Sequence, residues 1–229
     1  MSHSDEGVGE RSDSLLIGIT ANRGEQDAME VLSIKTFAFD ELSDTAKATA
    51  IEENYEYNTN YDWWDGDYDD FKNVGKCIGI DIDDIYFSGF SSQGDGACFE
   101  GRYAYKAGWG KELSGYCGGD SFEEIRAIGK RLQDIQRKSF YAIQASVKQS
   151  GHYHHAMCTD IEVTCERSEE YYNPIGGNDI IEELRNFMNW MYSQLNKQYD
   201  YLTTDDAIKE SFEANDVHFL EDGTKKLYV

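Results

Sequence analysis

Between Ile85 and Gly101 two aromatic, apolar runs flank the segment Ser91-Ser92-Gln93-Gly94-Asp95-Gly96, and few local structures accept that combination. The Gly94-Asp95-Gly96 triplet supplies the positive φ angles of a tight reversal, and Asp95 adds local side-chain hydrogen bonding. Phe87 and Phe90 lead in, and Phe99, Tyr103 and Tyr105 lead out. The stretch predicts a β-hairpin with arms over 80–90 and 97–106. Two serines, a glutamine and a carboxylate at its tip also make it a candidate binding element. It is not a phosphate loop, because it lacks GxxxxGK[ST] and a suitable following lysine.

The remaining pattern surrounds this hairpin with helices. Ser43 caps a helix running to about Tyr57, and Asp67 to Ile78 places Tyr68, Phe71, Val74 and Ile78 on one face with Gly79 as the stop. Ser121 opens a helix to about Arg137 with Phe122, Ile125, Ile128, Leu132 and Ile135 as its stripe. A longer one runs from about Asp179 to Asp200, and Thr204 with Asp205 and Asp206 starts a short one ending at Ala214. Val31 to Phe39 alternates like a strand. Phe140–Lys148 and His152–Cys165, joined by Ser150-Gly151, predict a second hairpin. Trp109 to Asp120 reads as a glycine-rich connection, and Phe219 to Tyr228 as a terminal strand or tail. The expected fold is α+β, an antiparallel sheet of two hairpins with four or five helices packed on one face. Pro174 is the only proline and no Ser/Gly/Pro-rich linker interrupts residues 31–229, so one domain is expected there. Residues 1–30, rich in Ser, Asp, Glu and Gly, read as a flexible acidic arm.

Charge limits the partners. The chain carries 44 Asp+Glu against 21 Lys+Arg, a formal net charge of -23. Such a molecule repels nucleic acid and anionic membrane surfaces and attracts basic ones, of which the grooves of nucleic-acid-binding proteins are the deepest. Cys77, Cys98, Cys117, Cys158 and Cys165 share no CxxC spacing, which points to reduced thiols in an intracellular protein and away from a zinc knuckle. No window reaches the roughly 18 uninterrupted apolar residues of a membrane span, and Met1 to Ser12 has no secretory core, so a soluble protein with a cytoplasmic location is expected.

Several strings together, Phe39-Asp40-Glu41-Leu42-Ser43-Asp44 with Ala46, Asp62-Trp63-Trp64, Ile85 to Gly101, Gln136 to Phe140, Gly151-His152-Tyr153 and Tyr199 to Asp206, resemble a family of uncharacterised proteins from phages, prophages and mobile elements. The likeness spans about residues 37–222. Some members carry the loose label of an antitoxin from a toxin-antitoxin stability system. The resemblance implies a mobile-element origin and brings no settled activity with it.

Two constellations carry candidate chemistry. Glu52, Glu53, Glu56, Asp62, Asp65, Asp67, Asp69, Asp70, Asp81, Asp83 and Asp84, with Asp95 at the hairpin tip, crowd around Trp63 and Trp64 against only Lys72 and Lys76. Duplex DNA carries one charge per about 1.7 Å of axis, and carboxylates spaced a few ångströms apart can imitate it. These residues are therefore candidate partner-binding groups. The bland alternative is a solvated acidic face. The second constellation is Gly151-His152-Tyr153-His154-His155-Ala156-Met157-Cys158, where a strand would place His152, His154 and Cys158 on one face, as a zinc site requires. No HExxH and no Ser or Cys nucleophile motif accompanies them. The expectation is a non-enzymatic protein without a cofactor. It would inhibit a nucleic-acid-binding host defence complex, CRISPR or restriction, by DNA mimicry. It would bind the basic protein and not the nucleic acid or a membrane, and a homodimer is compatible with the same features. The alternatives are a zinc- or manganese-dependent hydrolase or nuclease using His152, His154 and Asp95, and an antitoxin neutralising a basic toxin.

Overall fold

The computed structural model describes residues 14–20, 29–116, 120–165 and 176–225. The fold is α+β. It divides into two compact units, residues 62–199 and residues 1–61 with 200–229. Two separate apolar clusters of buried side chains account for the division.

The larger unit is built on an antiparallel four-stranded sheet, β4 (Ile80–Phe87), β5 (Ala97–Ala104), β6 (Ile143–Gln149) and β7 (Thr159–Cys165), in that spatial order. Helices α2 (Asp65–Cys77), α3 (Trp109–Tyr116), α4 (Asp120–Lys138) and α5 (Gly177–Leu202) complete it. Ile80, Ile82, Phe99, Tyr103, Ile143, Ala145 and Val147 alternate onto the buried face, as the two-residue strand period requires. Phe99 meets Phe187 of α5 edge-on at 5.8 Å between ring centroids. Gly75 of α2 packs closely there, a Cβ on it lying 3.1–3.3 Å from the Ile80 carbonyl, Ile82 and Phe187. From α4, the buried Gln136 satisfies both backbone groups of Ile143: its Nε2 donates to the carbonyl at 2.7 Å, and its Oε1 accepts from the amide at 3.2 Å. A buried amide side chain thus completes a strand end that β5 does not reach, the β5–β6 register stopping at Ala104↔Gln144.

Three departures from the sequence reading have local causes. A helix, α3, occupies the expected glycine-rich connection, because Trp109 and Leu113 fall on one helical face and the indole packs onto Gly129, where any Cβ would meet it at 2.7 Å. The second hairpin starts at Ile143 and not at Phe140. Phe140 and Tyr141 take left-handed φ of 53° and 62° and close the end of α4, with the Tyr141 amide donating to the Gln136 carbonyl at 2.7 Å. Its second arm starts at Thr159 and not at His152, since 151–158 is a loop closed by the Ser150 amide donating to the Cys158 carbonyl at 2.8 Å.

In the smaller unit, β1 (Ser14–Thr20) pairs antiparallel with β2 (Met29–Lys35), from Ser14↔Lys35 to Thr20↔Met29. Within the stretch expected as a flexible arm over 1–30, the described residues Ser14–Thr20 form a strand whose apolar run Leu15 to Ile19 pairs with 30–34 of β2. Strand β3 (Phe37–Ala38), a short 3-10 helix (Phe39–Glu41), α1 (Asp44–Glu53), α6 (Asp205–Ala214) and β8 (His218–Phe219) gather around Phe39, Leu42, Ala50, Ile208, Phe212 and Phe219. Both expected caps are present, Ser43 Oγ accepting from the Ala46 amide at 3.3 Å and Thr204 Oγ1 from the Ala207 amide at 3.2 Å. Lys225 lies over the rings of Tyr57, Phe212 and Phe219, at 4.3 Å from the nearest centroid, and burial pushes its pKa down. Residues 1–13, 21–28, 117–119, 166–175 and 226–229, which include parts of the arm, Cys117, the loop from Tyr171 and the end of the expected terminal strand, lie outside the described residues.

Candidate partner-binding site

The Asp62-Trp63-Trp64-Asp65 string forms a turn into α2, with the Asp65 amide donating to the Asp62 carbonyl at 3.3 Å and the Tyr68 amide to the Trp64 carbonyl at 2.9 Å. That turn holds both indoles against the start of the 88–96 loop. Trp63 lies 6.0 Å from Phe87, 6.4 Å from Phe90 and 6.0 Å from Tyr199, and Trp64 lies 5.7 Å from Phe87. Tyr192 and Tyr199, seven residues apart on one stripe of α5, close the group at 5.3 and 5.2 Å from Phe90. All these rings are half-buried. Trp63, Trp64, Phe87, Phe90 and Tyr199 line a cavity of about 320 Å³ whose lining also includes Ser88, Gly89 and Ser91, with Tyr192 packed behind Phe90. Open cavities walled by ring faces with a few hydroxyl and carbonyl groups are the form that ligand and anchor-residue pockets take.

The acids around it are arranged unequally. Asp62 and Asp65 are exposed on either side of the tryptophan pair. Asp95 has a structural duty, its Oδ2 accepting from the Ser91 amide at 2.8 Å and the Ser92 amide at 2.6 Å. It remains near enough to Tyr192 to reinforce the upward shift that burial imposes on that phenol, whose hydroxyl donates to the Gly89 carbonyl at 3.2 Å. The loop glycines are packing positions. Gly94, at φ 100°, faces the Tyr153 ring, and a Cβ on Gly96 would meet His155 at 2.6 Å. The tip therefore docks on the 151–158 loop.

Other candidates fall elsewhere. Asp65, Asp67, Asp69 and Asp70 share α2. Burial, reinforced by the charge of Asp70, pushes the half-buried Asp67 up to about 6. Asp81, at the edge of the open sheet face, stands opposite Arg102, and Asp160 stands opposite Lys148; Glu162, two residues further along β7, faces the same way. Asp83 sits at a bulge between Ile82 and Asp84. Glu100 on that face is committed internally, accepting from the Tyr86 hydroxyl at 3.2 Å and the Gln149 amide at 3.0 Å. Glu52, Glu53 and Glu56 are exposed in the smaller unit, so the acidic string that is continuous in sequence is shared between two units.

The histidines serve different neighbours. His152 packs on Tyr153 at 5.6 Å and His154 on Tyr86 at 5.6 Å. His155 Nδ1 accepts from the Met157 amide at 3.2 Å, which puts the proton of a neutral ring on Nε2, 3.3 Å from Cys158 Sγ. In that tautomer the ring donates to the sulfur and cannot act as its base. Among the described residues no three His, Cys, Asp or Glu side chains form a metal-holding group, and no helix is long and apolar enough to cross a membrane.

A wider hollow beside α2 and α3 is lined by both signs of charge, Lys76 and Lys111 with Glu112, and so offers no single preference. The aromatic cavity differs in offering one chemistry. Sequence reasoning found Trp63, Trp64 and Asp95 but not Tyr192 and Tyr199, whose spacing on α5 reads equally well as core.

The larger unit is thus an α+β domain that presents an acid-flanked aromatic cavity beside an open, largely acidic sheet face. The chain belongs to the family described as a domain of unknown function (DUF8835), which matches residues 63–205 and so takes in every residue lining the cavity. No curated protein and no solved structure matches the chain.

Proposed function

We propose that the protein is a non-catalytic binding protein that occupies the nucleic-acid groove of a basic partner by presenting a DNA-like acidic surface. The observation that carries this reading is the exposure of Asp62, Asp65, Asp69, Asp70, Asp81, Asp84, Asp160 and Glu162 on one compact unit of a chain with net charge -23. Carboxylates two residues apart on a strand are about 7 Å apart. That is inside the screening length of about 8 Å at physiological salt, so their fields add. Summed fields of this kind steer a basic groove toward the surface and set the association rate. The resemblance to phage and mobile-element proteins makes a host defence complex, such as a CRISPR or restriction effector inside the bacterial cell, the partner class proposed here. A basic toxin would be engaged by the same physics.

Affinity capture tests this. Immobilised protein should retain nucleic-acid-binding proteins from a bacterial lysate treated with nuclease at 50 mM NaCl and release them by 500 mM. Recovery of no such protein at low salt, or retention indifferent to salt, contradicts the reading.

A further inference from the structure

We propose that the Trp63, Trp64, Phe90 and Tyr199 cavity receives the guanidinium of an arginine side chain projecting from the basic partner; this rests on the acidic-surface reading above. An aromatic hollow on an otherwise strongly charged unit has to be matched to an occupant that is both flat and cationic. Ring faces carry negative quadrupole potential, and the Trp63 and Phe90 rings, inclined by only 30° at 6.4 Å, present a wall against which a planar group can stack. Guanidinium is planar, weakly hydrated and always charged, whereas the lysine ammonium is a compact, strongly hydrated point charge that gives up more water on entering. Ser88 and Ser91 supply hydroxyl acceptors within the lining. The exposed Asp62 and Asp65 beside the indoles, and Asp95 near Tyr192, make the surroundings anionic. At about 320 Å³ the cavity is of a size to hold one side chain and not a folded element. Arginine, tryptophan and tyrosine are also the residues that dominate the energetics of protein interfaces. The mimic would then combine a diffuse charged field, which brings the groove in, with one specific anchor that fixes its register.

The chain contains its own controls. Trp109 and Trp190 are buried in the core of the same unit, so the four indole N–H resonances divide into two cavity reporters and two core reporters. A short blocked peptide with one arginine should shift the Trp63 and Trp64 indole signals saturably and leave Trp109 and Trp190 in place. The same peptide with citrulline, which keeps the shape and removes the charge, should not. Trp63→Leu and Tyr199→Leu should each weaken the peptide about fivefold to thirtyfold. Glu124→Gln, exposed on α4 and outside the acidic set above, should leave peptide binding unchanged. Equal binding of the citrulline peptide, or shifts spread over all four indoles, overturns the guanidinium site. Absence of peptide binding while basic proteins are still captured in a salt-dependent way overturns the site and leaves the acidic-surface reading standing. Peptide binding without any captured protein supports the site and overturns that reading. If Trp63→Leu fails to fold, Tyr199→Leu and the citrulline comparison decide.

Discussion

Asp67 offers a quantitative test of what the acidity does to the fold. Its carboxyl, pushed from an ordinary 3.8 up to about 6 by burial and then by Asp70, is disfavoured in its ionised form in the folded state. Well below pH 3.8 the group is neutral both folded and unfolded and contributes nothing. As pH rises through the window between 3.8 and about 6 the folded state progressively loses stability, and above it the loss is complete. A shift of that size corresponds to about 3 kcal/mol for a fully shielded group. Water reaches this half-buried carboxylate, and screening reduces the figure to about 1.5 kcal/mol. Asp67 also lies in the first turn of α2, where a negative charge gains about 0.5 kcal/mol from the helix dipole that asparagine forfeits. Asp67→Asn should therefore raise stability by about 1 kcal/mol at pH 7.5, and melting by about 2–4 °C, with no gain at pH 3.5. Urea titrations of both proteins at half-unit steps from pH 3.5 to 8 provide the assay. A gain independent of pH, or a loss at pH 7.5, refutes the argument. A gain would mean that the chain retains an acid against its own stability, as expected where charge is kept for a partner.

The fold makes further tests accessible. Gln136→Met keeps the volume but leaves the Ile143 amide and carbonyl without their partner, and should destabilise by about 2–4 kcal/mol in urea at an unchanged m-value. Phe187→Ala, fully buried against Phe99 and Trp190, should cost about 3–5 kcal/mol by the same measurement. Gly94→Ala forces a side chain into a left-handed position facing the Tyr153 ring; it should cost about 1–2 kcal/mol and speed hydrogen exchange at the Ser91 and Ser92 amides that Asp95 holds.

The strands and long helices were legible because their periodicities are strong. The stripe of α5 through Ile180, Leu184, Phe187, Met191 and Leu195, the caps Ser43 and Thr204, and the Gly79 stop at φ 91° are all local signals with local consequences. What escaped notice depends on distant neighbours. Trp109 makes a helix of a glycine-rich stretch only because Gly129 opens a slot in α4. His152 to Cys158 alternates like a strand, yet the loop tip bearing Gly94 and Gly96 occupies that position. The partition into two units was invisible because α1 and α6, far apart in sequence, share one cluster. The cavity was half legible: Asp62-Trp63-Trp64-Asp65 announces itself, whereas Tyr192 and Tyr199 look like any helical stripe until the fold sets them beside Phe90.

The central claim is that this surface and a nucleic acid compete for one groove. With a captured basic partner in hand, the most direct measurement is its affinity for fluorescent duplex DNA at increasing concentrations of this protein. Mutual exclusion predicts that the apparent DNA Kd rises in proportion to added protein without a plateau, and that Asp81→Asn, Asp84→Asn, Asp160→Asn and Glu162→Gln together blunt the rise. A plateau, or a ternary complex of partner, DNA and protein, contradicts it.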